Sequence, residues 1–555
     1  MNAKKKFDHS NDLVLLPLGG VGEIGMNCYC YGIGPVESRE WLMVDLGVKF
    51  GDETEPGIDI VLPELGTIIS ERRRLSGLVL THAHEDHLGA VAWLWPQLRC
   101  PVYCTPFAAA ILAGKLKERG LDEDVPVRIK AVGSRFAVGS FNLEFVSVTH
   151  SIPEPTAVLI ETKQGRVLHS GDWKIDRTPV MGDHFDERRF REIGELGVDA
   201  LVCDSTNVLR QGFSVSEAEV SASLWRIVAE AKGRIAITTF ASHVERISSA
   251  VAAARKAGRE VVIAGRAMRQ TIEAARTCGY LRDAGSFLDE EAFGYLPPDK
   301  IMLLCTGSQG EPRAAIARIA EDTHPNIALD EGDLVVFSSK TIPGNEKAVS
   351  AVHNNLASLG VDVITSDDAL VHTSGHPRQD ELKLLYGWLN PRAVIPMHGE
   401  PRHLLRHVEF AEASGIGETL MAENGDLIRL APGPAQIVDE MPAGRLHVDG
   451  KLIVPAIEGP ARFRRKLSFA GIVVVSLVID AKGTLVSDIE IVADGLPAGL
   501  DEKLKAAADE AYESMPRPRL QNDGTIIETV RTAIRRAADA EWGKKPICQV
   551  LLHRL

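Results

Sequence analysis

The stretch THAHEDHLG at residues 81–89 follows a short apolar segment and decides the fold class. Three imidazoles and two carboxylates fall within six consecutive residues of this stretch. The two-residue period of a strand end would place His82 and His84 on one side, while the following turn presents Asp86 and His87 from a different direction. Zinc and manganese accept imidazole nitrogen and carboxylate oxygen, and two ions about 4 Å apart can clamp an attacking and a leaving oxygen. The stretch therefore predicts a site for two metal ions, and a solvated, histidine-rich turn is the alternative.

Three further polar residues stand at the ends of apolar segments downstream. His150 ends FNLEFVSVTH, Asp172 comes at the end of VLHSGDW, and His398 follows AVIPM. Taken singly, each is more typical of a structural side chain whose hydrogen bonds are satisfied. Taken with the first motif, the three supply the ligands that two four- or five-coordinate metal sites still lack.

The order of apolar segments predicts several domains. Short strands separated by glycine, proline and charged turns fill residues 13–80, and helices alternate with strands to about residue 175. Between about 217 and 360 the alternation becomes regular, which predicts an inserted α/β domain with a parallel sheet. A proline- and glycine-rich segment near 432–459 is typical of a linker, and a small α/β tail domain follows it. The expected boundaries are 1–208 with 360–445 for the first domain, 209–359 for the insertion, 446–460 for the linker and 461–555 for the tail domain.

The charge balance limits the range of ligands. The chain has 555 residues, and 62 basic against 76 acidic side chains give a net charge of −14. This balance disfavours long-range attraction to nucleic acid or an anionic membrane, so a polyanionic ligand has to meet local positive charge. Two basic runs offer such charge, although a solvated surface is the ordinary explanation of both. They are Arg72, Arg73 and Arg74, and then Arg462, Arg464, Arg465 and Lys466.

The sequence also indicates a compartment. It has no run of 18 or more apolar residues, and no apolar stretch follows the lysines near its start, so neither a membrane span nor a secretory signal is expected. We therefore expect a cytoplasmic protein without a membrane partner. The eight cysteines show no paired CxxC frame and are expected to be reduced and buried. Metal binding by Cys100 and Cys104 is the less favoured interpretation.

The segment GVGEIG at residues 20–25 has the G-x-G-x-x-G spacing of a dinucleotide site and follows a predicted strand. The next residues, MNCYCYGIG, are typical of a second strand. The helix N-terminus that would hold a pyrophosphate is therefore missing, and we expect a tight glycine turn near the metal site instead.

The metal motif resembles a known superfamily. The pattern H-x-H-x-D-H, a strand-end histidine, a Gly-Asp pair and a late histidine are together similar to the metallo-β-lactamase superfamily. The resemblance implies an αββα sandwich and two Zn²⁺ per chain, with Mn²⁺ as the alternative. It also implies the ligand sets, which are His82, His84 and His150 for one metal, Asp86, His87 and His398 for the other, and Asp172 as the bridge.

Further motifs narrow the resemblance. The inserted domain, Asp204 in VCDSTN and His376 in HTSGHPRQDE are similar to the β-CASP nucleic-acid hydrolases. Five segments resemble the bacterial ribonuclease J family in order and spacing, and the match extends from about Leu13 to Leu555, including the tail domain. They are GGVGEIGMN at 19–27, VLTHAHEDHLGA at 79–90, TTFASHVER at 238–246, HTSGH at 372–376 and PMHGE at 396–400.

This family resemblance implies a function. The expected enzyme removes nucleotides from single-stranded RNA in the 5′ to 3′ direction, prefers a 5′ monophosphate and has some endonuclease activity. The implied cellular roles are RNA decay and the maturation of rRNA and mRNA. The implied partners are a second copy of the chain, held through the tail domain, and proteins of an RNA-degradation complex.

The resemblance also assigns roles to residues. His376 would protonate the leaving 3′ oxygen, Asp204 would orient His376, and Asp86 would take part in catalysis beside its metal. The loop at 372–376 and a helix N-terminus after residue 241 would bind phosphate, although simple capping by Ser242 is the alternative at the helix. The implied phosphate-binding residues are His372, Thr373, Ser374, Gly375, His376, Ser242 and His243.

Two competing functions share part of this pattern. A metallo-hydrolase of small molecules such as thioesters or lactams would carry the same first motif. The long insertion and the HTSGH loop speak against it, because a small substrate needs no such cover. A non-catalytic RNA-binding or scaffold role is the other competitor, and the complete set of ligands speaks against that.

Overall fold

The computed structural model describes residues 11–555, so the start of the expected first domain lies outside the described part of the chain. Two compact units are present. Of the described residues, 11–49 and Val61–Arg445 form the first unit, and Phe50–Ile60 with Leu446–Leu555 form the second. Among the described residues, no helix is both long and apolar enough to cross a membrane.

The first part of the chain alternates short strands with helices, as the sequence predicts. Its elements are β1 (Leu13–Gly19), β2 (Cys28–Ile33), β3 (Glu40–Val44), β4 (Lys49–Phe50), β5 (Ile60–Pro63), α1 (Gly66–Ser70), β6 (Leu75–Val79), α2 (Glu85–Leu88), α3 (Val91–Leu98), β7 (Val102–Cys104), α4 (Pro106–Glu118), β8 (Val127–Ile129), β9 (Arg135–Val138), β10 (Phe141–Ser147), β11 (Thr156–Glu161), β12 (Arg166–His169), α5 (Glu187–Leu196) and β13 (Ala200–Asp204).

The inserted part follows β13 and is a regular α/β series. Its elements are α6 (Glu217–Glu230), β14 (Ile235–Thr238), α7 (Val244–Lys256), β15 (Glu260–Ala264), α8 (Arg266–Thr277), β16 (Ile301–Cys305), α9 (Ala315–Ala320), β17 (Leu334–Phe337), α10 (Glu346–Ser358) and β18 (Asp362–Ile364). The strands form one parallel sheet in the order β15-β16-β14-β17-β18. β16 is buried throughout, as expected of a parallel strand that helices cover on both faces.

The chain then returns to the first fold. The returning elements are α11 (Gln379–Leu389), β19 (Ala393–Met397), α12 (Pro401–Ala413), β20 (Glu418–Thr419), β21 (Asp426–Ala431) and β22 (Gln436–Glu440). With them, two sheets are complete, in the orders β22-β21-β1-β2-β3-β6-β7-β8 and β20-β19-β13-β12-β11-β10-β9. β13 and β19 pair in parallel with Asp204 opposite Met397, so the chain leaves and re-enters the second sheet on neighbouring strands.

Alternating side chains explain the layers of this sandwich. On β11, Val158 and Ile160 join a core that also holds Leu15 and Tyr31 of the first sheet. Leu159, between them, faces the opposite way and joins a core with side chains of α5 and α11. The second sheet therefore lies between the first sheet and a helical layer, which confirms the predicted α/β fold class with its inserted domain.

The second unit is a small α/β domain preceded by a hairpin. Its elements are β23 (Arg445–Asp449), β24 (Leu452–Pro455), α13 (Ala461–Ala470), β25 (Ile472–Ile479), β26 (Glu490–Asp494), α14 (Leu500–Glu513), α15 (Asp523–Trp542) and β27 (Ile547–Arg554). β25 is the central strand, antiparallel to β26 and parallel to β27. Every second residue of β25, from Val473 to Ile479, packs against α14 and α15. The sequence pattern predicts no element at 461–470, where α13 forms. The domain boundaries drawn from the sequence remain predictions.

Candidate metal centre

Strand ends position the residues of the THAHEDHLG stretch. β6 ends at Val79, and α2 begins at Glu85 after an extended His84 with φ −70° and ψ 152°. His82 and His84 therefore lie in the loop between β6 and α2, whereas Asp86 and His87 project from the first turn of a helix. This is the change of direction that the sequence predicts.

The first cluster consists of three imidazoles. Nδ1 of His84 lies 3.1 Å from Nε2 of His82 and 3.1 Å from Nε2 of His150. His82 and His150 are buried, and their rings meet edge to face with centroids 5.0 Å apart. Three nitrogen atoms thus converge on one point, as a metal ion with three histidine ligands requires.

The second cluster combines two imidazoles with two carboxylates. Nε2 of His87 lies 3.2 Å from Oδ2 of Asp172 and 3.6 Å from Oδ2 of Asp86. Nε2 of His398 lies 3.2 Å from the same oxygen of Asp86. One atom from each of these four residues falls within 4.8 Å of the others, although His398 is more than 300 residues from the motif.

Asp172 stands between the two clusters. Its Oδ2 lies 4.0 Å from Nε2 of His82 and 3.7 Å from Nε2 of His150, both of the first cluster. The same oxygen is 3.2 Å from Nε2 of His87 in the second cluster. One carboxylate oxygen thus faces nitrogen atoms of both groups, which is the placement a bridging ligand needs.

Two unsatisfied atoms fit a metal ion. Oδ1 of Asp172 and Nε2 of His398 are buried, and neither has a hydrogen-bond partner among the described residues. Oδ1 of Asp172 lies 2.9 Å from Nδ1 of His398, and Nε2 of His398 lies 3.2 Å from Asp86, but neither approach has hydrogen-bond geometry. A buried polar atom without a partner is costly, and a cation would satisfy both atoms. The donor set of imidazole and carboxylate suits zinc.

The electrostatics of the first cluster favour neutral ligands. Burial lowers the pKa of His82 and His150 well below the ordinary value, and it lowers the pKa of His84 to about 4. Neighbouring imidazoles lower these pKa values further. At neutral pH the three rings are uncharged and carry the lone pairs that a cation needs.

The second cluster has the opposite tendency. Burial lowers the pKa of His398, but the carboxylates of Asp172 and Asp86 outweigh it and raise that pKa to about 10. The pKa of His87 is also raised, because Asp172, Asp86 and Asp45 outweigh burial. Burial raises the pKa of Asp172, yet the positive charge on His398 and His87 holds it well below the usual range. The carboxylates of the second cluster therefore favour positive charge beside them, which either protons on the imidazoles or a metal ion can supply.

Asp45 is a residue of this site that the sequence analysis missed. Oδ2 of Asp45 lies 2.7 Å from Nδ1 of His87, and its Oδ1 accepts a hydrogen bond of 2.8 Å from the peptide N–H of Thr81. The residue has φ 61°, in the left-handed region, so its backbone turns sharply at the end of the strand. A carboxylate behind a metal-binding imidazole fixes the orientation of the ring. The only signal in the sequence was an acidic residue ending the apolar run WLMV.

The glycine turn at residues 19–25 supports the site from the other side. The peptide N–H of His398 donates to the carbonyl of Gly20 at 2.6 Å. Gly20 has φ 83°, and a Cβ there would lie 2.3 Å from Tyr29 Oη and 2.4 Å from Asn27 Oδ1. Because the strand β2 follows, and no helix, the prediction of a tight turn in place of a dinucleotide site is confirmed.

His376 lies beside the second cluster and contacts Asp204. Nδ1 of His376 is 2.7 Å from Oδ2 of Asp204 and 3.8 Å from Oδ2 of Asp172. Burial lowers the pKa of His376, but Asp204 and Asp172 outweigh it, so the pKa lies above the ordinary value. The peptide N–H of Asp204 donates to Oγ of Ser170, and the Asp204 carboxyl accepts from the N–H of Thr206. The pair is thus fixed at the end of β13.

The loop at 372–376 is held on both sides. Nδ2 of Asn207 donates to Oγ of Ser374 at 2.7 Å, and Oγ1 of Thr373 donates to the carbonyl of Val215 at 2.8 Å. The carbonyl of Gly375 lies 2.6 Å from Nδ1 of His150, and a Cβ at Gly375 would come within 2.4 Å of the same nitrogen. Only glycine therefore allows this loop to approach the His150 imidazole so closely.

His372 begins the same loop in a mostly buried position. Its Nδ1 is buried without a hydrogen-bond partner among the described residues. Burial and the charge of Arg246 hold its pKa well below the ordinary value, so the ring is neutral. The phosphate-binding role inferred for 372–376 stays a prediction.

The start of α7 differs from the expected cap. His243, not Ser242, occupies the N-cap position, and it makes no capping hydrogen bond. The His243 side chain is buried, with Nε2 3.1 Å from Oε1 of Glu217, and its peptide N–H is bonded to the carbonyl of Phe240. The sequence could not foresee this, because Glu217 is distant in the chain. The phosphate-binding roles of Ser242 and His243 stay predictions.

A buried ion-pair network ties α7 to the rest of the unit. Nη2 of Arg246 donates to both carboxylate oxygens of Glu217, at 2.9 and 3.0 Å. Nη1 of Arg246 donates to the carbonyl of Val371 at 2.7 Å, directly before the 372–376 loop. Lys174, also buried, lies 3.1 Å from Asp176 and 4.0 Å from Glu217. The network therefore joins the inserted domain, the first domain and the loop.

The fold and the site together define a hydrolase of the metallo-β-lactamase type with an inserted β-CASP domain. Four family models match the chain in order. They are a β-lactamase superfamily domain at 54–264, the ribonuclease J β-CASP domain at 232–356, a Zn-dependent metallo-hydrolase RNA specificity domain at 361–421 and the ribonuclease J C-terminal domain at 462–555.

Relatives that align over nearly the whole chain are also members of the ribonuclease J family. The chain is 48% identical over 562 residues to ribonuclease J of Sinorhizobium meliloti, with 100% of each chain covered. It is 36% identical to ribonuclease J of Thermus thermophilus, with 94% of this chain and 92% of the relative covered. It therefore belongs to the ribonuclease J family and is a metal-dependent hydrolase, as the sequence motifs predict.

A solved structure extends the comparison of folds. The crystal structure of a protein of unknown function from Enterococcus faecalis matches with a TM-score of 0.51 and 16% identity. The match covers 75% of this chain and 100% of that chain. At this identity the likeness concerns the fold alone.

Proposed function

We propose that this enzyme hydrolyses phosphodiester bonds of single-stranded RNA, removing nucleotides in the 5′ to 3′ direction from 5′-monophosphorylated ends, with endonuclease activity as well. RNA decay and the maturation of rRNA and mRNA are the proposed cellular roles. Membership of the ribonuclease J family and the RNA specificity domain at 361–421 support RNA as the substrate.

The single observation that carries the proposal is the pairing of His376 with Asp204 beside the two metal clusters. Nδ1 of His376 faces the buried Asp204 carboxyl, and no described residue forms a hydrogen bond with its Nε2. Nε2 is thus available to a substrate. An imidazole whose pKa is raised above its ordinary value keeps its proton to a higher pH than a free imidazole does, which suits a general acid.

The chain's own groups divide the work of hydrolysis. When the P–O3′ bond breaks, Nε2 of His376 gives its proton to the leaving 3′ oxygen, while Asp204 stabilises the orientation and charge of the imidazole. The 372–376 loop lies against His150 and would hold the phosphate next to the breaking bond. Bound divalent cations would supply a water nucleophile with a lowered pKa and neutralise the phosphate.

We propose two Zn²⁺ per chain, with Mn²⁺ as the alternative. His82, His84 and His150 hold one ion in this proposal. Asp86, His87 and His398 hold the other, and Asp172 bridges. The convergence of ligand atoms in both groups supports this assignment, and the donor types suit both metals.

One RNA prepared with two different 5′ ends tests the function. Purified protein of known metal content is incubated with the 5′-monophosphorylated and the 5′-triphosphorylated form, and the products are separated by size. We expect mononucleotides from the monophosphorylated RNA and far fewer from the triphosphorylated RNA. A circular form of the same sequence should yield only slow internal cleavage, because it has no end.

Two matched variants test whether cleavage depends on His376. His376→Gln should slow the formation of mononucleotides by roughly two to four powers of ten, while His553→Gln, at an exposed position of the second unit, should leave it unchanged. Internal fragments alone from both linear RNAs would make the enzyme mainly an endonuclease. Absence of any cleavage at two bound metals per chain would contradict the proposal and favour a hydrolase of small molecules.

The remaining partners are part of the same proposal. We expect a cytoplasmic homodimer held through the tail domain, and contacts with other proteins of an RNA-degradation complex. Sedimentation of the full chain should give twice the mass of 60.2 kDa. A chain shortened at Gly459 that stays dimeric would contradict the role of the tail domain.

A further inference from the structure

The helix α13 presents a basic and aromatic surface to solvent. Arg462, Arg465, Lys466 and Phe469 follow the i, i+3, i+4, i+7 spacing that places side chains on one face of a helix. All four are exposed, and Phe463 next to them is 44% exposed while Phe469 is 69% exposed. We refer to these five residues as the α13 surface.

The positive charges of the α13 surface are not neutralised within the protein. Arg464, on the other side of the helix, forms an ion pair with Asp449 and donates hydrogen bonds of 2.8 and 3.0 Å to its two carboxylate oxygens. Across residues 11–555, no acidic side chain forms an ion pair with the three cations of the α13 surface. Nη1 of Arg465 donates to the carbonyl of Thr54 at 3.4 Å, which leaves its charge without an acidic partner. In a chain of net charge −14, three such cations on one helix form a local positive patch. It offers an electrostatic site to an anionic ligand.

The aromatic groups of the surface are equally unusual. Exposed phenyl rings forgo the free energy that burial would provide, and neighbouring exposed rings commonly mark a binding surface. Nζ of Lys544 lies 4.5 Å from the ring centre of Phe469 and 5.0 Å from that of Trp542, which adds a fourth cation beside the rings. Flat apolar faces next to cations are what stacked nucleobases and their phosphates require.

A hollow accompanies the helix. It has a volume of about 370 Å³ and is lined by Arg462, Phe463, Lys466, Ile457 and Gly459. The side chain of Ile457 is 93% exposed at its rim. The hollow thus combines two cations, an aromatic ring and an aliphatic side chain, and its size is in the range of sites for small ligands.

We propose that the α13 surface binds single-stranded RNA as a site in addition to the metal centre. Arg462, Arg465 and Lys466 contact phosphates, and the rings of Phe463 and Phe469 stack on bases. The choice of RNA as the natural polyanion rests on the proposed function, but binding itself requires no cleavage. Charged and aromatic residues alternate along α13, so it lacks the continuous apolar face of a helix that lies in a membrane interface.

Salt-dependent binding of the full-length protein tests the proposal. Metal-stripped protein is added to a fluorescent, 5′-monophosphorylated RNA of about 20 nucleotides, and binding is measured by fluorescence anisotropy. The metal is removed so that the RNA is not cleaved during the titration. Arg462→Ala with Lys466→Ala should weaken binding at least tenfold. The slope of log K against log salt should fall by about 1.4, since each phosphate contact on a single strand contributes about 0.7.

A control of equal charge keeps the result interpretable. Arg535→Ala with Arg536→Ala removes two exposed cations from α15 in the same unit and should leave both affinity and slope unchanged. Phe469→Ala should weaken binding roughly five- to hundredfold without changing the salt slope, because a stacking contact carries no charge. Equal loss in both double variants would overturn the proposal, since it would show a general effect of net charge.

Two further readouts separate this site from the proposed function. Turnover of a 5′-monophosphorylated trinucleotide should be the same in the wild type and in the Arg462→Ala, Lys466→Ala variant. If the wild type fails to cleave the trinucleotide while the loss of RNA binding persists, the proposed function fails and the α13 site stands. Normal cleavage with unchanged RNA affinity in the variant would refute the site. The wild type could instead bind tightly to vesicles of phosphatidylglycerol. If the double variant lost this vesicle binding but still bound RNA as the wild type does, the α13 surface would be a membrane-binding site and the proposed RNA site would be refuted.

Discussion

Nδ1 of His376 lies 2.7 Å from Oδ2 of Asp204, and the Asp204 carboxyl is completely buried. The two residues are 172 positions apart in the chain. His376 lies in the loop after the inserted domain, whereas Asp204 ends the strand before it. The pair therefore forms only when the insertion is folded and its two connections are in place.

His376→Ala should slow hydrolysis of RNA by roughly two to four powers of ten, as for the loss of a general acid. Metal content should stay unchanged, because the two groups of converging ligands that we assign to metals do not include His376. Activity and bound metal are measured on the same sample, the latter by mass spectrometry of the released ions. Equal loss of both would contradict the proposed role.

Asp45→Asn should weaken metal binding by about ten- to a hundredfold, since the carboxylate orients His87 through Nδ1. The affinity is measured by competition with a chelator. Asp439→Asn, at an exposed position of β22, is the matched control and should bind metal as the wild type does. Unchanged affinity in the Asp45 variant would remove that residue from the site.

Arg246→Ala should lower the free energy of unfolding by about 3–5 kcal/mol, because it leaves Glu217 buried without its main partner. Replacing both residues together, Arg246→Met with Glu217→Leu, should recover a large part of this loss. Urea unfolding of the three proteins measures the difference. A single variant as stable as the wild type would show that the network contributes little.

Glu245 should make stability depend on pH. Burial, followed by the nearby charge of Glu217, raises the pKa of Glu245 to about 8, with Lys174 opposing and Asp176 adding to the shift. The folded protein then retains a proton that the unfolded chain releases above about pH 4.5, so the free energy of unfolding falls as pH rises between these values.

Glu245→Gln removes this proton and should flatten the dependence. Wild type and variant should unfold at similar temperatures near pH 5, and the variant should unfold several degrees higher at pH 8.5. Glu230→Gln, at an exposed position of α6, is the control and should follow the wild type. Parallel curves for the wild type and the Glu245 variant would disprove the shifted pKa.

The sequence predicted the fold class because apolar runs and their alternation are local patterns, whereas the ligand sets came from the family resemblance and stay a proposal. Apolar runs fixed the strands, and polar residues directly after them had to meet at strand ends, as His150, Asp172 and His398 do. The role of Asp45 could not be predicted, because a single acidic residue after an apolar run matches no metal-binding motif. The burial of His243 escaped because it depends on a side chain 26 residues earlier in the chain.

The helix α13 was not predicted from the sequence for a different reason. The basic run at 462–466 was interpreted as charged surface, which is correct for the side chains but says nothing about the backbone. The helix α13 is largely exposed, and only Ala461 and Ala470 of its residues are buried. So weak an apolar pattern gives no helical period to detect.

The spread of the ligands along the chain has a consequence during synthesis. His87 and His398, both of the second cluster, are 311 residues apart, so this cluster cannot close until the polypeptide is more than two-thirds made. At about 5–20 residues per second, the ribosome needs roughly 15 to 60 s to travel from one to the other. Throughout this time the nascent chain emerges next to the messenger RNA that encodes it. With the proposed ligand sets, the order of residues thus keeps the metal centre incomplete until more than two-thirds of the message has been translated.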